Sequence, residues 1–203
     1  MKRISLVFLA ASLTILTLSL ASCASHRNLA RIPGISVDAA DPSGFVTLTD
    51  VVPDVILEIR YYSSFNFVGT RVDGYEEPVA LITKEAAAAL KKVSDEAIAR
   101  GYRLKIWDAY RSGHSRGSVV DLTLVDMRTG RDLDMGYGFD WFGGESHPDY
   151  REGITEEQYQ NRMILRELML KHGFLPITEE WWHFILKDEP YPDTYFTLPV
   201  RAL

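Results

Sequence analysis

A chain of 203 residues, 46% hydrophobic and 25% charged, is long enough to bury one sizeable core and fits one domain better than two. Its formal charge is −6, from 22 basic and 28 acidic residues without a Lys/Arg run, which argues against a nucleic-acid surface. One cysteine, Cys23, excludes a disulfide within the chain and a zinc site built from thiolates, so a metal site has to draw on His, Asp or Glu.

Residues 1–22 read as a targeting segment: Lys2 and Arg3 give a basic start, and Leu6 to Leu20 is apolar apart from Ser and Thr. That stretch is short for a spanning helix. Its end, Leu20-Ala21-Ser22-Cys23, resembles the lipobox of bacterial lipoproteins. The resemblance implies that Cys23 is acylated and becomes the mature N-terminus. Because Ala24 follows rather than Asp, it also implies the periplasmic face of the outer membrane. An ordinary secretory signal or membrane anchor is the alternative. Residues 23–45 lack periodicity and carry Pro, Gly, Ser and Asp, the composition of a tether, with an arm packed on the domain as the other reading. Residues 46–203 are expected to form the folded domain.

Within that domain Val55 to Tyr62 is rich in branched and aromatic residues and predicts a strand. Residues 63–82 predict a long loop with Asn66, Gly69 and Gly74 as turn residues. A helix follows, capped by Thr83, with Ala86, Leu90, Val93 and Ala97 along one face and Gly101 as its stop. Tyr102 to Trp107 alternates with period two, as a half-buried strand does. Ser118 to Leu124 predicts another strand, with Val120, Leu122 and Leu124 on one face and Val119, Asp121 and Thr123 on the other. Residues 128–154 look irregular. Thr155-Glu-Glu-Gln158 is a capping box for a helix presenting Tyr159, Met163 and Leu170 before Gly173 ends it. A strand from Trp181 to Leu186 precedes a proline-rich tail. Strands and helices in this mixed order predict an α+β domain, with a mainly antiparallel sheet and flanking helices.

Two stretches concentrate chemistry. Asp108 to Leu124, DAYRSGHSRGSVVDLTL, packs an arginine, a serine, a histidine and a carboxylate into a glycine-punctuated turn entering a strand. Glu179-Glu180-Trp181-Trp182-His183 lies far along the chain. His114, Asp121 and His183 would supply the two imidazoles and one carboxylate of a catalytic zinc, which commonly keeps a fourth position open. In regular strands, residues seven apart and three apart point to opposite faces, so a turn near Gly117 and a bend near Trp181 would have to re-aim these side chains. A histidine beside aromatics is more often a packed or surface residue. His147 in its loop and His172 in a last helical turn compete, His26 falls in the tether, and no H-E-x-x-H sequence is present.

The turn Ser112-Gly-His-Ser-Arg-Gly-Ser-Val-Val-Asp121 resembles the S-x-H-x-x-G-x-x-x-D signature of D-alanyl-D-alanine dipeptidases, and Glu180-Trp-Trp-His183 resembles that family's second signature. The similarity spans roughly residues 47–200 and includes the Asp140 loop and the tail Asp188-Glu-Pro-Tyr-Pro192. It implies the small α+β hedgehog/DD-peptidase fold and one zinc ion per chain, held by His114, Asp121 and His183. It further implies Glu180 as catalytic base and Arg111 as the residue that stabilises the transition state. Ser112 and Asp140 would hold the amino end of a D-Ala-D-Ala substrate. In the family, however, a sizeable insertion separates the Tyr-Arg motif from the Ser-x-His turn, whereas here Arg111 runs directly into Ser112. Three readings stay open: a lipid-anchored dipeptidase of the cell envelope, a DD-carboxypeptidase acting on longer peptidoglycan stems, and an inactive wall-binding lipoprotein.

Overall fold

The computed structural model describes Ser36–Asp38, residues 41–113 and residues 115–203; the targeting segment, Cys23 and His114 lie outside the described residues. At the centre, β5 (Tyr102–Asp108) and β6 (Val119–Asp126) pair antiparallel, with Leu104 opposite Leu124 and Ile106 opposite Leu122. These four side chains and Val120 are fully buried, so one face of the pair is a continuous apolar wall. Alternation turns Lys105, Asp121 and Thr123 to the opposite face. There Lys105 bridges Glu58 and Asp132, at 3.1 and 2.5 Å.

Among the described residues the main sheet runs β3 (Ile56–Leu57), β5, β6, β9 (His183–Leu186), β8 (Phe174–Pro176), with β7 (Arg131–Asp132) also on β6. Apart from the β3–β5 pair it is antiparallel. Helix α2 (Lys84–Ala99) packs against β5, burying Ala86, Leu90, Val93 and Ala97 as its spacing predicts. Helix α3 (Glu156–Lys171) packs on β8 and carries the expected capping box, Thr155 and Gln158 each satisfying the other's backbone N–H. A short helix, α1 (Leu48–Val51), and two further strand pairs complete the fold. They are β2 (Phe45–Thr47) with β4 (Leu81–Thr83), and β1 (Ser36–Asp38) in parallel with β10 (Thr194–Phe196). The domain is therefore α+β, with a mainly antiparallel sheet and flanking helices.

Two sequence expectations fail locally. Of the strand expected over Val55–Tyr62, Ile56–Leu57 alone forms a ladder, and Arg60–Tyr62 is a 3-10 turn. The Asn66 amide donates to the carbonyls of Arg60, Ser63 and Thr70, and Val72 N–H donates to the Tyr61 carbonyl at 2.9 Å. These bonds wind the chain into a compact loop and turn Tyr61 inward. In α3 the buried face is Arg162, Leu165, Leu168 and Met169; Leu170 is exposed. The buried Arg162 donates to the carbonyls of Met135, Glu145 and His147, pinning the irregular 128–154 segment over the helix. A hydrophobic pattern cannot anticipate an arginine as the centre of a buried stripe.

Candidate active site

The register of β6 against β9 sets Asp121 directly opposite His183. Residues directly opposite in a ladder project to the same face, so cross-strand pairing brings this couple together without a bend. Their ligand atoms, His183 Nδ1 and Asp121 Oδ1, are 2.8 Å apart. Glu180 precedes β9 in a turn closed by His183 N–H donating to the Glu180 carbonyl at 3.3 Å. That turn folds Glu180 back until its Oε2 lies 3.4 Å from His183 Nδ1. Ligand atoms of Asp121, Glu180 and His183 all lie within 4.8 Å of one another. Trp181 and Trp182, both buried, wedge the turn in place: Trp181 Nε1 donates to the Tyr137 carbonyl, and the Trp182 carbonyl accepts from Leu122 N–H.

The cluster has the character of a cation site. Asp121 is almost wholly buried, and its Oδ1 has no hydrogen-bond partner despite the close nitrogen. His183 Nδ1 approaches that oxygen to 2.8 Å, as two ligand atoms facing a common ion would. A buried, unpaired carboxylate oxygen is costly unless a proton or cation occupies the space beside it. An imidazole nitrogen with carboxylate oxygens is a donor set that suits zinc, so the residues fit the ion. Burial raises the Glu180 carboxyl, Asp121 adds to the effect, and His183 opposes it. Burial alone would lower the His183 imidazole, but Asp121 and Glu180 outweigh it and the net direction is up.

The turn after β5 brings Arg111 to the same place. Asp108, Ala109, Arg111, Ser115, Val119 and His183 line a cleft of about 180 Å³. Arg111 Nη2 donates to Asp108 Oδ2 at 2.9 Å, and its guanidinium lies 4.3 Å over the Tyr61 ring. The turn is braced by the C-terminal strand and tail. Gly113 N–H donates to the Phe196 carbonyl at 2.7 Å, Phe196 N–H to the Ser115 carbonyl at 3.3 Å, and the Tyr110 hydroxyl to the Leu198 carbonyl at 3.2 Å. Ser112 is buried against Gly74, whose φ of +92° and lack of a Cβ permit the contact: a Cβ there would meet Ser112 Cβ at 2.8 Å. At Gly117, with φ +81°, a Cβ would meet the Phe45 ring at 2.4 Å.

Asp140 holds a left-handed backbone, φ 63°, the sole non-glycine to do so among the described residues. Tyr61 Oη donates to its Oδ1 at 3.0 Å, while Oδ2 is buried without a partner. Burial raises this carboxyl, and the Tyr61 hydroxyl opposes the rise. Asp140 lines a second, larger cleft of about 580 Å³ with Arg60, Phe67, Trp107 and Trp181. The metal cluster is absent from that lining. Sequence reasoning did not single out Asp108, Tyr61 or Tyr75, which join Arg111 and Asp140 into one network. A carboxylate ending an apolar strand two residues before Tyr110-Arg111 was a usable sign for Asp108; the tyrosines looked like ordinary core.

The chain matches the family model described as D-ala-D-ala dipeptidase over residues 41–113 and 111–201, two stretches that meet at Arg111–Gly113. It is 34% identical over 200 residues to a D-alanyl-D-alanine dipeptidase of Enterococcus faecium, covering 78% of this chain and 98% of the relative. It is 32% identical over 198 residues to one from Streptomyces coelicolor, covering 77% and 98%. To one from Escherichia coli it is 34% identical over 171 residues, covering 72% and 86%. An alignment of 200 residues that uses 78% of a 203-residue chain means the enterococcal relative carries residues without a counterpart here. The break in the family match falls where Arg111 runs directly into Ser112.

Proposed function

The chain belongs to the D-Ala-D-Ala dipeptidase family, and from that premise we propose that it hydrolyses D-alanyl-D-alanine with one bound zinc ion in the cell envelope. The observation that carries this reading is the meeting of Asp121, Glu180 and His183, with Asp121 Oδ1 buried 2.8 Å from His183 Nδ1. Asp121 and His183 hold the ion, and His114, outside the described residues, is proposed as its third ligand. When bound, zinc supplies Lewis acidity, polarising water and the scissile carbonyl.

Glu180, 3.4 Å from His183, takes the proton of the attacking water and hands it to the leaving amine. Arg111, opening on the same cleft as His183, opposes the negative charge that develops on the carbonyl oxygen. Asp140, with one oxygen held by Tyr61 and the other free, pairs with the substrate's ammonium, and Ser112 assists at that end. A blocked or extended amino end would leave the Asp140 charge uncompensated.

One observation favours a second reading. The family match breaks after Arg111, and a cleft wall shortened there would admit longer peptidoglycan peptides and make the protein a DD-carboxypeptidase. The same assay separates the two: turnover of D-Ala-D-Ala against an N-acylated peptide ending in D-Ala-D-Ala, with wild type and Glu180→Gln. The dipeptidase reading expects higher kcat/KM on the free dipeptide. It also expects a loss of about 10²–10⁴-fold in kcat for Glu180→Gln with zinc content unchanged. Undiminished turnover in that variant, or after chelation, would end it. The lipobox-like Leu20-Ala21-Ser22-Cys23 supports anchoring through a lipid on Cys23, so Cys23→Ser should release the protein from membranes.

A further inference from the structure

The dipeptide reading needs the Arg111 guanidinium to meet one oxygen in one orientation, yet Arg is long and rich in rotamers. A misplacement near 1 Å can cost on the order of 10²-fold in rate. In this chain nothing built after Arg111 can brace it, because Ser112 and Gly113 lead at once into the glycine-rich turn. What holds it lies underneath. Asp108 ends β5 and is buried; one of its oxygens, Oδ2, accepts from Arg111 Nη2 at 2.9 Å. The other, Oδ1, accepts a short hydrogen bond from the hydroxyl of Tyr75, itself buried. With both oxygens occupied, the carboxylate cannot rotate without breaking a buried, charge-assisted bond.

Tyr75 is in turn fixed to the tail. It bridges to Val200, the Val200 carbonyl accepts from Glu76 and Glu77 N–H at 2.9 and 3.0 Å, and Val200 N–H donates to Gly74 at 2.7 Å. The Tyr61 ring supports the guanidinium face at 4.3 Å. About a third of the Arg111 side chain, 35%, stays exposed toward the cleft, so the clamp leaves donors free for a ligand.

We propose that Asp108 and Tyr75 are positioning residues that act through Arg111: Asp108 orients the guanidinium, and Tyr75 orients Asp108. The inference rests on the dipeptidase reading for its chemistry and on the buried network for its geometry. Tyr75→Phe deletes one hydroxyl from a packed ring and is the mildest probe. On zinc-loaded full chain it lowers kcat about 10-fold and leaves KM within about twofold, as expected of an interaction made mainly in the transition state. Asp108→Asn lowers kcat about 10²-fold. In an Arg111→Ala background, Tyr75→Phe has no further effect, because residues that act through a common group are not additive.

A readout independent of turnover is the Arg111 Nη–Hη NMR resonance of the group bonded to Asp108: resolved and slowly exchanging in the wild type, broadened in Tyr75→Phe and Asp108→Asn. Equal kcat losses for Tyr75→Phe with and without Arg111 overturn the inference, and so does an unchanged Arg111 resonance. If the wild type does not hydrolyse the dipeptide while that resonance still responds to Tyr75→Phe, the functional reading fails and the positioning stands.

Discussion

Asp121 and His183 sit on neighbouring strands of one ladder, whereas Arg111 and the turn that follows it are held by contacts to the C-terminal end of the chain. The first region is specified by register. Slipping β9 by one residue would send His183 to the other face and leave Asp121 alone, so any state with the sheet intact keeps the pair. Among the described residues the second has no ladder of its own beyond the isolated Ser115–Phe196 bridge, and it depends on Phe45, Phe196 and Leu198 beneath and beside it. The two regions can therefore fail separately: the Asp121–His183 pair follows the sheet, and the orientation of Arg111 follows the turn.

Two substitutions test that division. Phe196 is 4% exposed and packs edge-on against Phe45 and Tyr191 at 4.8 and 5.1 Å. Phe196→Ala should cost about 4 kcal/mol of stability. Hydrogen exchange at Gly113 should rise well before exchange at Leu122, whose amide donates to the Trp182 carbonyl within the sheet region. Equal protection at both positions would break the division. Gly117→Ala comes next, at roughly 3 kcal/mol: the left-handed backbone and the collision with Phe45 both oppose a methyl group. Thermal unfolding should show the loss, and dipeptide turnover should fall with it.

The smallest effect belongs far from both regions. Glu96 joins α2 to α3 through Lys171 at 2.9 Å and His172 at 2.8 Å, with Arg100 also bonded to it. Lys171 and then His172 hold its carboxyl down at about 2, outweighing desolvation. Because the folded value is depressed, this contribution is present above the ordinary carboxylate range and is lost as pH falls toward 2. The difference in melting temperature between wild type and Glu96→Gln should thus shrink from pH 6 to pH 2, with turnover at neutral pH unchanged.

The cluster's members were legible as residue types and through the family signatures, and the strands that carry Asp121 and His183 were visible as alternating or apolar runs. Their convergence was not, because it depends on which residue of β9 faces which residue of β6. Spacing along the chain called for a bend between Glu180 and His183, which the turn before β9 supplies; that Asp121 faces His183 is set by the register of β6 against β9. The capping box at Thr155 and the α2 stripe could be read because both are local. Arg162 as a core residue could not, since it is decided by carbonyls 15 to 27 residues away, and the 3-10 turn at Arg60–Tyr62 could not, since it is decided by a side-chain amide that the strand-like run does not reveal. Tyr75 and Asp108 were hidden for the same reason: 33 residues separate the partners of that bond.

The bonds from Phe196, Leu198 and Val200 also impose an order of events. While the chain emerges from the ribosome, the sheet can close once β9 is out, but the arginine's support must wait for Phe196, Leu198 and Val200. A polypeptide interrupted near residue 190 would carry a cation pocket without the means to aim a guanidinium at a substrate. Synthesis thus leaves the completion of this site to the segment that follows β9.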